Sequence, residues 1–227
     1  MIKLASTKPF AQGGNRLCYV HPDDKSKVVK VRRPDFTLED LRKKKGFPKS
    51  LKPLSSFDDN LEEFKVLSAF QKKYGEHVFK HISRCYGFEE TDQGKGLILE
   101  LVRDGNGLIS YNIKQYLYEV GPTESFNVAL DAFCNFWQET SLPSRNLLAH
   151  NVLVQQDDMQ RVVRLVVIDG LGYSGFFPKS MLTASYFEKR AKKKISLLRQ
   201  DVEKYIARAK RGEHPTEIGI LLHRDAD

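Results

Sequence analysis

The sequence predicts a two-lobed α+β fold, with a β-rich lobe over residues 1–103 and a compact, α-rich lobe over 104–227. Three observations predict it. Short runs of β-branched and aromatic residues, bounded by turn residues, fill the first half. An apolar stripe at helical spacing, Phe126, Leu130, Phe133 and Trp137, opens the second half. From Met181 onward the composition is helical and strongly basic.

Leu17-Cys18-Tyr19-Val20 and Val28-Val29-Lys30-Val31 read as strands, and His21-Pro22-Asp23-Asp24 as the turn between them. The polar, basic, proline-punctuated stretch from Arg32 to Phe57 predicts a loop. A helix then starts near Asp58-Asp59-Asn60, whose side chains suit the capping of free N–H groups. Leu61, Phe64, Leu67 and Phe70 follow at near-helical spacing. Cys85 to Glu90 and Leu97 to Val102 predict a hairpin turning at Asp92-Gln93-Gly94. Pro143 closes the helix that carries the apolar stripe. A second hairpin is predicted from Val152-Leu153-Val154 and Val162 to Ile168, across the polar turn Gln155 to Gln160. In the tail, Ile195, Leu198 and Ile206 are expected to face inward, with Arg190, Lys193, Lys194 and Lys204 outward.

The 41 % hydrophobic and 11 % aromatic content can build a core, which excludes wholesale disorder. No apolar stretch approaches the roughly 20 residues that cross a bilayer, so no transmembrane segment is expected. Met1 to Ser6 lacks the apolar run of a secretory leader. Cys18, Cys85 and Cys134 are odd in number, widely spaced and each in an apolar context, which points to reduced, buried thiols in a cytoplasmic protein. The net charge of +8 is concentrated in two runs. One lies between Lys25 and Lys52 and includes Arg42-Lys43-Lys44-Lys45; the other lies between Lys189 and Arg211 and includes Lys192-Lys193-Lys194. Such runs are either solvated faces or sites for an anionic partner.

The residues with chemical potential fall into the order used by protein kinases. Lys30 stands within an apolar strand, where an ammonium is costly without a partner. Kinases use such a lysine to hold nucleotide phosphates and pair it with a helix glutamate; Glu63 fits that role, with Glu62 the alternative. Gly13 and Gly14 precede the first strand and permit a phosphate-covering turn, although Arg16 stands where a G-x-G-x-x-G pattern has its last glycine. Ser144-Arg145-Asn146-Leu147-Leu148-Ala149-His150-Asn151 has the shape of the catalytic loop H-R-D-x-x-x-x-N. Asn151 is then a Mg²⁺ ligand. Asp169, at the end of Val166-Val167-Ile168 and before Gly170, takes the place of the D-F-G aspartate that binds Mg²⁺. Asn146 occupies the position of the aspartate that accepts the substrate proton, and an amide is no base at neutral pH. His150 is a candidate substitute base or a loop histidine that satisfies backbone groups.

Tyr86-Gly87-Phe88-Glu89-Glu90-Thr91-Asp92-Gln93-Gly94-Lys95-Gly96-Leu97 resembles a segment of the bacterial YrbL family, the PhoP regulatory network proteins, most specifically in E-T-D-x-G. Cys18-Tyr19-Val20-His21-Pro22 is similar to that family's C-Y-x-H-P turn, and Arg103-Asp104-Gly105-Asn106-Gly107 to its glycine-containing hinge. The resemblance runs from about Phe10 to Tyr205. It implies a protein-kinase-like fold that tends to lack the catalytic-loop aspartate, with Asn151 and Asp169 matching the family's loop asparagine and strand-end aspartate. The chain departs from the family at Leu148-Ala149, where lysine and proline are common, and at Gly170-Leu171-Gly172, which replaces the commoner N-I-G.

These readings predict a kinase-like protein that binds ATP and Mg²⁺ in a cleft between its lobes, with Asn146 and Asp169 at the catalytic positions. Gly13, Gly14, Lys30, Glu63, Asn151 and Asp169 are expected to hold the nucleotide, and Asn151 and Asp169 the metal. One reading is an atypical phosphotransferase that acts on a hydroxyl of a protein or small molecule. The other is an inactive pseudokinase, a nucleotide-responsive regulatory module. Only 58 residues follow Asp169, which leaves little room for a full helical subdomain. A third reading has the basic tail meet nucleic acid or a membrane surface with no nucleotide role.

Overall fold

The computed structural model describes residues 1–47, 49–173, 181–216 and 221–224. The chain divides into two compact units, the first made of residues 1–75, 84–101 and 221–227, the second of 76–83 and 102–220.

The first unit is an antiparallel sheet with helices. Its strands are β1 (Ala11–Gln12), β2 (Arg16–His21), β3 (Asp24–Arg32), β4 (Cys85–Thr91) and β5 (Gly94–Glu100), in the spatial order β1-β2-β3-β5-β4. The two predicted hairpins of this half are both present, and β3 lies between β2 and β5. Strand alternation divides the side chains by face. Tyr19, Val29, Val31 and Ile98 pack with Ile2 and Leu4 in one core cluster. Val28 and Lys30 are buried on the opposite side of the same strand. Gly96 in β5 keeps this packing close, because a Cβ there would stand 2.6 Å from Val29 Cγ1.

Helix α2 (Asp59–Tyr74) starts where the aspartates predict it. Asp58 Oδ1 accepts from the backbone N–H groups of Asn60 and Leu61 at 3.0 and 3.1 Å. Its inward residues are Asn60, Glu63, Leu67 and Phe70, so the first two turns bury polar side chains. Phe64 lies against Phe88 of β4, with ring centroids 5.2 Å apart. The stretch Arg32 to Phe57 is not simply a loop. It contains α1 (Leu38–Lys45), held by a reciprocal cap in which Thr37 Oγ1 accepts from Asp40 N and Asp40 Oδ2 accepts from Thr37 N. Its one buried apolar residue, Leu41, gave no helical stripe to read.

The second unit contains α3 (Ile113–Glu119), α4 (Glu124–Thr140), the hairpin β6 (Val152–Gln156) and β7 (Val162–Val167), and α5 (Ala184–Lys210). Phe126, Leu130, Phe133 and Trp137 are all buried, as their period predicts. The helix stops at Ser141 in the left-handed conformation (φ +48°), two residues before Pro143. Helix α3 is too short at seven residues to display a period, and it is capped by Asn112. The basic tail forms one 27-residue helix. Ala191, Ile195, Leu198 and Val202 are its buried stripe, with Ile206 only half-buried. Lys193 and Lys204 are exposed as expected, but Arg190 and Lys194 are half-buried. Arg190 lies over the rings of Tyr173 and Tyr186, at 5.6 and 5.7 Å. The expectation of buried thiols is met at Cys134 and corrected at Cys18 and Cys85, which are only half-buried.

Candidate functional site

The residues singled out from the sequence form two clusters, one in each unit. In the first unit, Lys30 is buried at the centre of the sheet, paired through the backbone with Cys18 and Leu97. Its Nζ donates to Glu63 Oε1 at 2.9 Å, both side chains being under one-tenth exposed. Glu63 also pairs through Oε2 with Arg16 Nη1. The same Arg16 nitrogen donates to Asn60 Oδ1 at 3.2 Å, and Asn60 Nδ2 donates to Lys30 O at 2.8 Å. One carboxylate thus serves two cations, and α2 is fastened to β3 through Asn60 as well. Glu62 is not part of this cluster; it bonds Lys65 on the exposed side of the helix.

Gly13 and Gly14 lie exposed at the turn between β1 and β2. Gly13 N donates to Arg16 O at 2.9 Å, which closes the turn on itself. A Cβ on Gly14 would meet nothing within 4 Å, so packing does not demand glycine there. Arg16, which breaks the glycine pattern in the sequence, connects this turn to Glu63. Asn15 adds a second connection, from Nδ2 to Asp59 Oδ2 at 2.9 Å.

In the second unit, the loop 144–151 runs antiparallel to the segment that follows Asp169. Ser144 bridges Leu171, Arg145 N donates to Gly170 O at 2.7 Å, and Arg145 Nε donates to Leu171 O at 3.1 Å. Val152 pairs with Val167, and Ile168 N donates to Asn151 O at 3.0 Å. Asn151 and Asp169 therefore stand at the same end of the β6–β7 hairpin. Asp169 Oδ1 accepts from Gly170 N at 2.6 Å. Gly170 has φ +80°, and a Cβ on it would approach Asn146 O to 2.5 Å and Asn151 Nδ2 to 3.3 Å. Glycine is required there twice over, by its dihedral and by the close approach of the loop.

Asn146 is exposed, and its Oδ1 accepts from Lys194 Nζ of α5 at 2.8 Å. This partner, 48 positions away in sequence, could not be found from the loop pattern; the only signal was its place in a basic helical run. Desolvation, then Arg190 and Lys193, lowers the proton affinity of Lys194. His150 is half-buried in the short turn before β6. Burial, then the charge of Lys114, pushes its pKa down, while Asp169 and Asp201 oppose that shift.

The donor set suits a hard cation. Mg²⁺ takes oxygen ligands, commonly one or two from side chains and the rest from phosphate and water. The Asp169 carboxylate and the Asn151 amide oxygen, at the same end of the β6–β7 hairpin, are oxygen donors of that kind.

Each unit thus carries the elements that a kinase-like plan predicts: a sheet lysine paired with a helix glutamate, and a loop asparagine beside a strand-end aspartate. The chain belongs to the family of the PhoP regulatory network protein YrbL, whose model matches residues 2–203. The uncharacterized protein YrbL of Escherichia coli (strain K12) is 23 % identical over 183 residues, covering 78 % of this chain and 77 % of its own length. That of Shigella flexneri shows the same identity and coverage. Among solved structures, the crystal structure of Rad53 1–466 in complex with AMP-PNP is similar with a TM-score of 0.46 and 14 % identity. That match covers 92 % of this chain, which spans about half the length of the Rad53 chain, 48 %.

Proposed function

We propose that this protein is a kinase-like, Mg²⁺- and ATP-binding protein that works as an atypical phosphotransferase. The observation that carries the reading is the buried Lys30–Glu63 pair, 2.9 Å long, in a strand and a helix of the types that kinases use. In this reading Lys30 meets the nucleotide phosphates and Glu63 orients it. Asn151 and Asp169 hold Mg²⁺, and Gly13 and Gly14 belong to a turn near the phosphates. Bound Mg²⁺ would neutralise charge on the transferred phosphoryl group. The lobes of this plan are residues 1–103 and 104–227. The odd, scattered cysteines support work in the reducing cytoplasm, and the exposed lysines of α5 support an anionic partner.

A second reading, a pseudokinase that binds nucleotide without turnover, is favoured by one feature: the amide of Asn146 stands at the base position. Incubation with γ-labelled ATP and Mg²⁺ separates the two. Label transfer or ADP release that disappears in Asp169→Asn selects the phosphotransferase. Nucleotide binding without either product selects the pseudokinase, and no binding at all overturns both.

A further inference from the structure

We propose that the phosphoryl acceptor is an oxyanion, a carboxylate or a phosphate, and that Asn146 and Lys194 bind it. The proposal rests on the phosphotransferase reading above and names the substrate class for the same site. An ordinary kinase places a carboxylate where this chain has Asn146, because a hydroxyl nucleophile must give up its proton. Here the position holds a neutral amide, and its carbonyl oxygen accepts from the ammonium of Lys194 at 2.8 Å. The charge at the acceptor position has changed from negative to positive.

The surroundings extend that change. Burial first, then the charges of Arg190 and Lys193, disfavour the extra proton on Lys194. An anion arriving beside Lys194 relieves this repulsion, whereas a neutral hydroxyl does not. A hydroxyl acceptor beside Asn146 therefore meets the Lys194 ammonium and no carboxylate at that position, whereas an oxyanion meets complementary charge.

The chemistry balances without a base. An acceptor oxygen forms a bond to the γ-phosphorus of Mg·ATP, and the bond from that phosphorus to the β,γ-bridging oxygen breaks. The electron pair leaves on ADP, and no proton is taken up or released. A carboxylate gives an acyl phosphate, and a phosphate monoester gives a diphosphate. Lys194 screens the repulsion between the incoming anion and the transferred group, a task that phosphoryl transfer between two anions makes necessary.

The test uses the full chain with Mg·ATP and three sets of acceptors. N-acetylaspartate with hydroxylamine traps an acyl phosphate as the hydroxamate. Methyl phosphate reports diphosphate formation. Glycerol and a neutral serine peptide represent hydroxyls. ADP release should rise at least tenfold with one of the two oxyanions, and which one responds identifies the source. It should stay at the basal level with the hydroxyls. Lys194→Met should raise the KM for that oxyanion at least tenfold, and Lys194→Arg should recover much of the loss. Calorimetric titration of the same oxyanion without nucleotide should show the matching rise in Kd for Lys194→Met. Greater stimulation by the hydroxyls, no stimulation by either oxyanion, or an unchanged KM and Kd in Lys194→Met overturns the proposal. A separate Mg·ATP titration of the wild type shows whether the nucleotide reading itself has failed, since Lys194 takes no part in holding nucleotide.

Discussion

Glu63 carries more of the first unit's electrostatics than Lys30 does, because it compensates Arg16 and Lys30 together. Removing one partner of a buried pair costs about 3–5 kcal/mol when a charge is left uncompensated. Glu63→Leu should therefore lower unfolding stability by about that amount, since both cations lose the carboxylate they share. Lys30→Met should cost less than half as much, because Glu63 keeps Arg16. Urea denaturation of the two variants checks the order. His81 offers a second residue-scale test. It is 1 % exposed, its Nδ1 meets Leu165 O at 2.8 Å, and its Nε2 is buried with no hydrogen-bond partner. Burial, with smaller contributions from Lys80, Arg164 and His77, pushes its pKa down from 6.5 to about 4. Between those values the unfolded chain binds the proton and the native one does not, so stability rises with pH there. It is fully present above pH 6.5 and should fall by about 3 kcal/mol as pH drops toward 4. His81→Gln should flatten that part of the profile in urea titrations at stepped pH. Lys30 and Glu63 were legible as residues because a lone lysine in an apolar strand needs an acid. Arg16 and Lys194 were not, because their partners are set by tertiary packing over 47 and 48 positions.

At the scale of elements, the segment after Asp169 owes its course to Gly170. Alanine there would combine φ +80° with a Cβ 2.5 Å from Asn146 O. Such strain costs on the order of 1–3 kcal/mol. Gly170→Ala should lower the urea midpoint and weaken the Mg·ATP response, because Asn151 and the loop 144–151 must shift. Gly14→Ala should change stability by no more than about 0.5 kcal/mol, having open space and no left-handed dihedral. Equal effects of the two substitutions would contradict these assignments. Strands β2 to β7 were readable as β-prone runs between turns and α4 from its buried apolar stripe, whereas α2 was readable from its capping aspartates and from Leu67 and Phe70, and the two-residue β1 gave no run to read. Helices α1 and α3 were not, because the first has one buried apolar residue and the second only seven residues. The cap at Thr37 and Asp40 was the available signal for α1. The tail was readable as helix, but not that α5 would turn Arg190 and Lys194 onto aromatic and amide partners instead of into water.

For the whole molecule, the chain belongs to the family of the PhoP regulatory network protein YrbL, and nucleotide binding without the usual catalytic carboxylate is the reading we propose for it. The order Lys30, Glu63, Asn151, Asp169 is a property of the sequence, and the structure gives each residue a specific local environment. What the sequence left out is the charge at Asn146, which depends on α5. No helix among the described residues is long and apolar enough to cross a membrane. The most direct measurement is the thermal unfolding transition of wild type and Asp169→Asn, each titrated with ATP in the presence and absence of Mg²⁺. A ligand bound at 100 times its Kd adds about 2.7 kcal/mol to stability, a shift of several degrees for a chain of this size. The wild type should show that rise with Mg·ATP, and Asp169→Asn should lose it while keeping its unliganded transition. An equal rise in both proteins, or none in the wild type, would contradict Asp169 as the metal-binding residue of a nucleotide site.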